Sequence, residues 1–345
     1  MPPVPSMQAW RVHHTGEPHE VLSLEEAARP EPGPGQVLLK VRATSVNFPD
    51  ALLCRGRYQQ RPPLPFTPGI EICGQTEDGR RVIAIPSLPH GGFAEYALAD
   101  AAGLLPAPDV LDDAEAAALH IAYQTSWFGL HRRARIRPGE TLLIHAAAGG
   151  VGSAAVQLGR AAGARVIGVV GGRAKAHVAR TLGCDLVIDR HTEDVVAVVR
   201  EATHGHGADV VYDPVGGQAY AQSARCVAFE GRIVVVGFAS GTIPTPALNH
   251  ALLKNYAILG LHWGLYQTRD PQAVLDCHGQ LTALAAKRAI EPLVSERVPL
   301  SAAADAVQRV ADGATTGRVV VVPTTDPTAK PTHTTADGAR TEAAP

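Results

Sequence analysis

Residues 141–157 have the sequence Thr-Leu-Leu-Ile-His-Ala-Ala-Ala-Gly-Gly-Val-Gly-Ser-Ala-Ala-Val-Gln. The apolar run 142–144 is typical of a short buried strand, and apolar side chains recur at helical spacing over 151–162. Between them, the pattern G-x-G-x-x-A begins at Gly150. A turn without side chains lets backbone N–H groups and a helix N-terminus approach a pyrophosphate. The stretch therefore predicts a dinucleotide site, with a purely structural glycine turn as the alternative.

Downstream of this stretch, short apolar strands alternate with amphipathic helices. Thr192 is predicted to cap one of these helices, with Glu193 and Asp194 in its positive first turn. The predicted strands are 165–170, 186–188, 209–212 and 232–236, and the helix 173–182 lies between the first two. Such alternation indicates parallel βαβ units with right-handed crossovers.

The end of the second predicted strand bears on which dinucleotide binds. NAD sites usually place a carboxylate there, because it binds the ribose 2′-hydroxyl. Here the strand is followed by two glycines and by the cations Arg173 and Lys175, and Arg190 follows the third strand. Cations attract a 2′-phosphate that a carboxylate would repel. We therefore expect NADPH; the alternative is that these cations are solvated side chains at a helix start.

The two ends of the chain differ from its middle. Residues 7–119 are rich in Pro and Gly, with short apolar runs and a turn-like segment at 76–80, which indicates a mostly β domain. A helix is predicted at 301–311 and a strand at 318–322, and we expect both to return to that first domain. The predicted domains are 1–125 with 290–324, then 126–289, and a disordered tail at 325–345 that lacks Ile, Leu, Val and aromatic residues.

Composition excludes several classes of protein. The 345 residues include 31 basic and 33 acidic side chains, so the formal charge of −2 gives no general attraction to nucleic acid or anionic membranes. The five cysteines form no C-x-x-C pair, which argues against a zinc ribbon or a disulfide framework. No signal-like segment or membrane-spanning apolar run is present. We expect a cytoplasmic protein without membrane partners, and we do not expect nucleic acid as a partner.

Several motifs together resemble the zinc-independent quinone oxidoreductases of the medium-chain dehydrogenase/reductase superfamily, the zeta-crystallin-like group. The motifs that carry the resemblance are 45–50 (SVNFPD), 63–71 (PLPFTPGIE), 145–157, 211–217 (VYDPVGG), 230–238 (EGRIVVVGF) and 316–320 (TGRVV). The resemblance implies an α/β fold, with a doubly wound parallel Rossmann sheet and a GroES-like, mostly β domain built from both chain ends. It also implies NADPH in the cleft and a homodimer formed by pairing strands near residues 257–261.

The resemblance also bears on metal binding. The zinc-dependent relatives carry a Gly-His-Glu run, whereas this chain has Gly69-Ile70-Glu71, and Ile70 cannot ligate a metal. Asn47-Phe48-Pro49-Asp50 stands where those relatives carry their first cysteine. We therefore expect no metal site, and reduction of an electron-poor acceptor rather than alcohol dehydrogenation.

The same resemblance implies three candidates for catalysis: Asn47 and Asp50 near the nicotinamide side of the cleft, and Tyr58 at its rim. Asn47 would orient an acceptor carbonyl or the cofactor, and Tyr58 would donate a proton through its phenol or a water. Asp50 would either act in the chemistry or cap the local turn. Water alone could also protonate a quinone product.

A larger set of residues is expected to bind the cofactor. Thr125 would lie near the phosphates, and Gly237 and Phe238 would line the nicotinamide pocket. Arg318 would either reach the cofactor or lie on the surface, and Trp263 would belong to the cleft, an interface or the core. The expected cofactor-binding residues are Thr125, Gly149, Gly150, Val151, Gly152, Arg173, Lys175, Arg190, Gly237, Phe238, Asn255 and Arg318.

These observations lead to one expected function and two alternatives. The expected function is transfer of a hydride from NADPH to a quinone or a similar electron-poor carbonyl acceptor, without a metal. The first alternative is an NADPH-dependent reductase of enones or enoyl thioesters. The second is a cofactor-binding protein with structural or RNA-binding duties.

Overall fold

The computed structural model of the chain describes residues 5–323 and contains two large β-sheets and a two-stranded one. The predicted tail at 325–345 lies outside the described residues. In chain order the strands are β1 (Ser6–Val12), β2 (Leu22–Ala28), β3 (Gln36–Ser45), β4 (Ile72–Gln75), β5 (Arg81–Ala84), β6 (Tyr96–Asp100), β7 (Leu105–Pro106), β8 (Thr141–His145), β9 (Arg165–Val170), β10 (Leu186–Asp189), β11 (Ala208–Asp213), β12 (Val227–Val235), β13 (Ala257–Gly260), β14 (Val294–Pro299) and β15 (Arg318–Val322).

The helices connect and cover these strands. They are α1 (Pro18–Val21), α2 (Phe48–Cys54), α3 (Asp113–Trp127), α4 (Gly150–Ala161), α5 (Arg173–Thr181), α6 (Val195–Ala202), α7 (Gly217–Cys226), α8 (Leu248–Lys254), α9 (Tyr266–Arg269), α10 (Pro271–Ala286) and α11 (Ala303–Ala311). None of the helices within residues 5–323 has both the length and the apolar character needed to cross a membrane.

The six-stranded sheet is entirely parallel and has the order β10-β9-β8-β11-β12-β13. This is the 3-2-1-4-5-6 order of a doubly wound Rossmann sheet. Every residue of β8 is buried, because helices cover both faces. Leu142 and Ile144 pack toward α3, α4, α5 and α10, whereas Leu143 packs toward α6 and α7. The predicted fold class is confirmed.

One local detail of this sheet's connections differs from expectation. The cap of α6 is Asp194, not Thr192: its Oδ1 accepts hydrogen bonds from the backbone N–H groups of Val196 and Ala197 at 2.8 and 3.1 Å. The Asp194 carboxylate thus satisfies two N–H donors that would otherwise be unpaired at the helix start. The Thr192 hydroxyl does not, because it donates to the Asp189 carbonyl instead.

The seven-stranded sheet has the order β14-β15-β3-β4-β5-β7, with β6 also paired to β3. The C-terminal strand β15 therefore lies between β14 and the N-terminal strand β3, so the chain end returns to the first domain as expected. Helix α3 packs against β3 and α4 and thus touches both halves of the molecule. The predicted domain limit at 125/126 falls inside this continuous helix, and the limits stay a prediction.

Candidate functional site

The glycine turn between β8 and α4 is shaped to approach a phosphate. Gly149 caps α4 in an extended conformation, and Ala146 has a φ of 51°. A Cβ added to Gly152 would lie 2.1 Å from the carbonyl oxygen of Ala146, so no other residue fits there. The turn therefore leaves the first N–H groups of α4 unobstructed at the carboxyl edge of the sheet. This geometry fits the pyrophosphate of a dinucleotide.

Arg318 reaches this turn from the other sheet. A Cβ added to Gly150 would lie 2.8 Å from Arg318 Nη1, so the guanidinium lies against the turn. Its Nε donates to Ser45 Oγ at 2.8 Å. Its Nη2 donates to Asn47 Oδ1 at 2.7 Å and to the Glu71 carboxylate. Arg318 is only 5 % exposed, so the expected alternative of a surface position is wrong.

The carboxylate that holds Arg318 is fully buried. Glu71 Oε1 accepts from the backbone N–H of Ile121 at 2.6 Å, and Oε2 accepts from Asn47 Nδ2 at 2.9 Å as well as from Arg318. Burial raises the pKa of Glu71, and the Arg318 charge opposes that rise. Sequence reasoning missed this role, treating Glu71 only as the neighbour of a lost zinc ligand. The available signal was an acid in the otherwise apolar run 70–73, which needs a buried cation.

The Asn47 side chain belongs to the same hydrogen-bond network. Its Oδ1 accepts from Arg318, and its Nδ2 donates to Glu71 and to the Ser45 carbonyl, the latter at 3.0 Å. Both ends of the amide are therefore occupied by protein groups, and the side chain is 3 % exposed.

Asp50 caps the turn at the start of α2, the second of its two expected roles. Its Oδ2 accepts from the backbone N–H of Asn47 at 2.8 Å, and its Oδ1 accepts from those of Gly69 and Ile70 at 2.9 and 3.3 Å. The carboxyl is fully buried, and burial raises its pKa to about 7 against the effect of these donors. Tyr58 lies half-buried nearby, and burial, followed by the Asp50 charge, raises the pKa of its phenol.

Three cations gather where β9 and β10 end. Arg173 is exposed at the start of α5, and Arg190 Nη2 would lie 3.0 Å from a Cβ on Gly171. Lys175 Nζ donates to the carbonyl of Gly313 at 2.5 Å, and burial, followed by the Arg190 charge, lowers its pKa. Like-charged groups brought this close fit a site for an anion.

A carboxylate also lies at this edge: Asp189, at the end of β10. Its Oδ1 accepts from the backbone N–H groups of Gly172 and His191 at 2.9 and 3.1 Å. The carboxylate thus braces the turn from which the cations project.

Three more of the residues expected to bind the cofactor are Gly237, Phe238 and Thr125. Gly237 and Phe238 follow β12 at the carboxyl edge, and Phe238 is 36 % exposed. Thr125 is on α3, where the neighbouring Ser126 donates to the Val151 carbonyl at 2.9 Å and so ties the helix to the glycine turn.

Two further candidates, Asn255 and Trp263, lie elsewhere in the fold. Asn255 precedes β13, which runs parallel to β12, so it lies at the amino edge of the sheet, opposite the edge that carries the glycine turn. There it ends α8 in the left-handed conformation, with a φ of 51°, and its carbonyl accepts from the Glu230 N–H. Trp263 belongs to the core: it is 7 % exposed and its Nε1 donates to Gln124 Oε1 at 3.2 Å.

No group of three or more His, Cys, Asp or Glu side chains within residues 5–323 is arranged to hold a metal ion. Ile70, at the position of the relatives' zinc ligand, is buried in the core of the first domain.

Comparisons with known proteins cover most of the chain. Residues 33–109 match the family model described as the alcohol dehydrogenase GroES-like domain, and residues 150–280 match that of a zinc-binding dehydrogenase. The chain is 36 % identical over 301 residues to a quinone oxidoreductase-like protein 2 homolog of Nematostella vectensis, covering 84 % of this chain and 82 % of that protein.

Solved structures share the same architecture. A probable oxidoreductase from Mycobacterium abscessus superposes with a TM-score of 0.84 at 37 % identity, covering 93 % of this chain and all of the other. The Escherichia coli quinone oxidoreductase complexed with NADPH superposes with a TM-score of 0.85 at 29 % identity, covering 92 % of this chain and all of the other.

Proposed function

Because the chain belongs to the quinone oxidoreductase-like family of the medium-chain dehydrogenase/reductase superfamily, we propose that it transfers a hydride from NADPH to a quinone or similar electron-poor carbonyl acceptor. The family is one of oxidoreductases, and the specific acceptor is the part that is proposed. The observation that carries the proposal is the contact of Arg318 with the glycine turn at Gly150. It brings a buried cation of the first domain to the pyrophosphate-binding edge of the second.

The assignment of NADPH rests on the chain's own cations and on a similar enzyme. The Escherichia coli quinone oxidoreductase was solved in complex with NADPH. In this chain Arg173, Lys175 and Arg190 would hold the 2′-phosphate, which distinguishes NADPH from NADH. Lys175 would exchange its bond to the Gly313 carbonyl for the phosphate.

The protein's contribution to the reaction is binding and orientation. The N–H groups of α4 and Nη1 of Arg318 would hold the pyrophosphate, and Gly237 and Phe238 would border the nicotinamide. When bound, NADPH supplies a hydride from its nicotinamide ring. Positioning against an acceptor in a cleft shielded from water then accounts for much of the rate.

The acceptor side needs one proton as well as the hydride to form a hydroquinone. Tyr58 is the proposed donor, because its half-buried phenol lies near Asp50 and a phenol carries its proton at neutral pH. Asn47 is proposed as a positioning residue for Arg318, since its amide is bonded to Arg318 and Glu71 and has no free donor for an acceptor carbonyl. Asp50 is proposed to hold the turn that carries Asn47.

The proposed assembly is a homodimer paired through β13. This strand lies at the end of the sheet and pairs, within the described residues, with β12 alone. Beside it, α8 exposes Leu248, Leu252 and Leu253 by 73, 73 and 74 %. An open strand edge next to exposed leucines is suited to pairing with a second copy.

The direct test follows NADPH oxidation by absorbance with 1,4-benzoquinone and 1,4-naphthoquinone, with and without a chelator. The expected result is turnover that the chelator does not change and that Gly152→Ala abolishes. A parallel series with an enone distinguishes the alternative of alkene reduction. Turnover of the enone alone, or tight NADPH binding with no quinone turnover, would contradict the proposal.

A further inference from the structure

A groove runs along the outer face of α7, away from the glycine turn. Its cavity of about 580 Å³ lies between α7, α8 and the loop 242–247. Gly217, Tyr220, Ala221, Ala224 and Arg225 line it at the three- and four-residue spacing of one helix face. We call it the α7 groove.

The groove has an apolar wall and a cationic end. Ile243, Pro244, Pro246 and Ala247 of the loop face the alanines of α7 across it. At the other end, Arg225 and His250 also line an adjoining cavity of about 420 Å³ that contains Arg200 and Lys254.

The cations at this end of the groove make different hydrogen bonds. Arg200 donates to the Arg225 carbonyl at 2.7 Å, and Lys254 donates to the Ala224 carbonyl at 2.9 Å, so both cap the last turn of α7. Asp194, the carboxylate in the adjoining cavity, accepts two backbone N–H bonds at the start of α6. The guanidinium of Arg225 is exposed and makes no hydrogen bond within the described residues, so it is the cation of this end that can turn toward a ligand.

An unpaired donor also lines the groove. Tyr220 is 6 % exposed, and its hydroxyl has no hydrogen-bond partner within the described residues. The Tyr256 phenol lies next to it and is itself paired with His250 Nδ1 at 3.3 Å. A buried hydroxyl without a partner is destabilising, and a ligand oxygen would satisfy it.

We propose that the α7 groove binds a free monocarboxylate with an apolar chain or ring. The carboxylate lies at Arg225 and accepts a hydrogen bond from Tyr220, and the apolar body lies between α7 and the loop 242–247. The site is separate from the glycine turn, because α7 and α4 cover opposite faces of the Rossmann sheet. It is therefore a second ligand site.

The test is calorimetric titration with octanoate and, as its uncharged counterpart, 1-octanol. Arg225→Gln is expected to weaken octanoate at least about tenfold and to leave 1-octanol unchanged. The matched control is Arg180→Gln, which removes an equivalent cation from the last turn of α5 and should change neither titration. Tyr220→Phe is expected to weaken octanoate and, without ligand, to raise the thermal midpoint, because the unpaired hydroxyl is removed.

Several outcomes would overturn the proposal. These are no saturable octanoate binding up to about 10 mM, equal losses in Arg225→Gln and Arg180→Gln, and displacement of octanoate by NADPH. A change of oligomeric state in Arg225→Gln, measured by sedimentation velocity, would show that a second copy fills the groove and would also overturn it.

Discussion

Arg318 and Glu71 form a buried ion pair although 247 positions separate them in the sequence. The pair joins the first residue of β15 to the residue before β4, and the same guanidinium lies against Gly150 of the Rossmann domain. Removing two charges from water is costly, so such a pair is weak evidence for stability by itself. Its geometry instead suits a second purpose, which is to hold a cation rigidly where a pyrophosphate would bind.

Glu71→Gln should reveal both effects. The substitution leaves the Arg318 charge buried without a counter-ion, so the free energy of unfolding should fall by about 3–5 kcal/mol in urea titrations. NADPH affinity should fall as well, because Arg318 loses its orienting partner. The control is Glu296→Gln at the solvent-exposed pair with Arg309, where about 1 kcal/mol or less is expected. Equal losses in the two variants would contradict a special role for Glu71.

Gly150→Ala separates cofactor binding from folding. The new methyl would lie 2.8 Å from Arg318 Nη1, the far end of a side chain that can move, so the fold should be retained. The displaced guanidinium should lower NADPH affinity at least about tenfold by calorimetry. Gly279→Ala on α10, where an added Cβ meets nothing within 4 Å, is the control and should leave affinity unchanged. Unaltered NADPH binding in Gly150→Ala would show that Arg318 does not contact the cofactor.

The Rossmann half of the fold was predictable because its signals are local. Apolar runs, helical spacing and a glycine turn each lie within a few residues of sequence, and β9 has the predicted limits 165–170. The predicted N-cap of α6 was wrong by two residues. Thr192 and Asp194 are both good cap residues, and only the observed hydrogen bonds distinguish them.

The candidate site was less predictable because it depends on distant contacts. Arg318 carried no local indication of burial, and its partner Glu71 belongs to another strand region. The oxygen and the nitrogen of the Asn47 amide form hydrogen bonds with these same two partners. The position of Asn255 was within reach of the sequence: it precedes β13, and the start of a strand in a parallel sheet lies at the amino edge.

The preference for NADPH over NADH provides a test of the cations at the ends of β9 and β10. Arg173→Ala combined with Arg190→Ala should weaken NADPH by about 10- to 100-fold, because each removes a charge from the 2′-phosphate site, and should leave NADH within about twofold. Arg180→Ala, on the last turn of α5, is the matched loss of a cation. Comparable losses for the two cofactors would show that these arginines do not recognise the 2′-phosphate.

The homodimer prediction is tested at the open edge of β13. Gly260 is exposed and an added Cβ there meets nothing within 4 Å, so Gly260→Lys is tolerated within one subunit. In a two-fold pairing it would bring like charges together, and the expected result is a monomer by sedimentation velocity. Gly279→Lys places the same charge on α10 and should not change the mass. Equal masses for wild type and Gly260→Lys would exclude pairing through this edge.

Part of the loss of folding stability at low pH should arise from His120, which is buried beneath Trp263. Its Nδ1 accepts from Gln124 Nε2 at 3.3 Å, and its ring meets that of Trp263 edge-on at 5.1 Å. Burial, followed by the nearby His278, lowers its pKa from 6.5 to about 3. Between these values the unfolded chain binds a proton that the folded protein does not. The free energy of unfolding should therefore fall as the pH falls through this window, by at most about 1.4 kcal/mol per pH unit from this residue.

His120→Gln isolates that contribution. The amide retains hydrogen-bonding capacity but does not titrate, so the slope of the unfolding free energy against pH, measured by urea titration between about pH 6.5 and 3, should be shallower than in the wild type. The comparison is of slopes, because the substitution also changes packing against Trp263 and lowers stability at every pH. Asp50, with its raised pKa, acts in the opposite direction but is present in both proteins and so cancels. The exposed His177→Gln on α5 should leave the slope unchanged, and a wild-type slope in His120→Gln would mean that another buried group, such as His278, carries the effect.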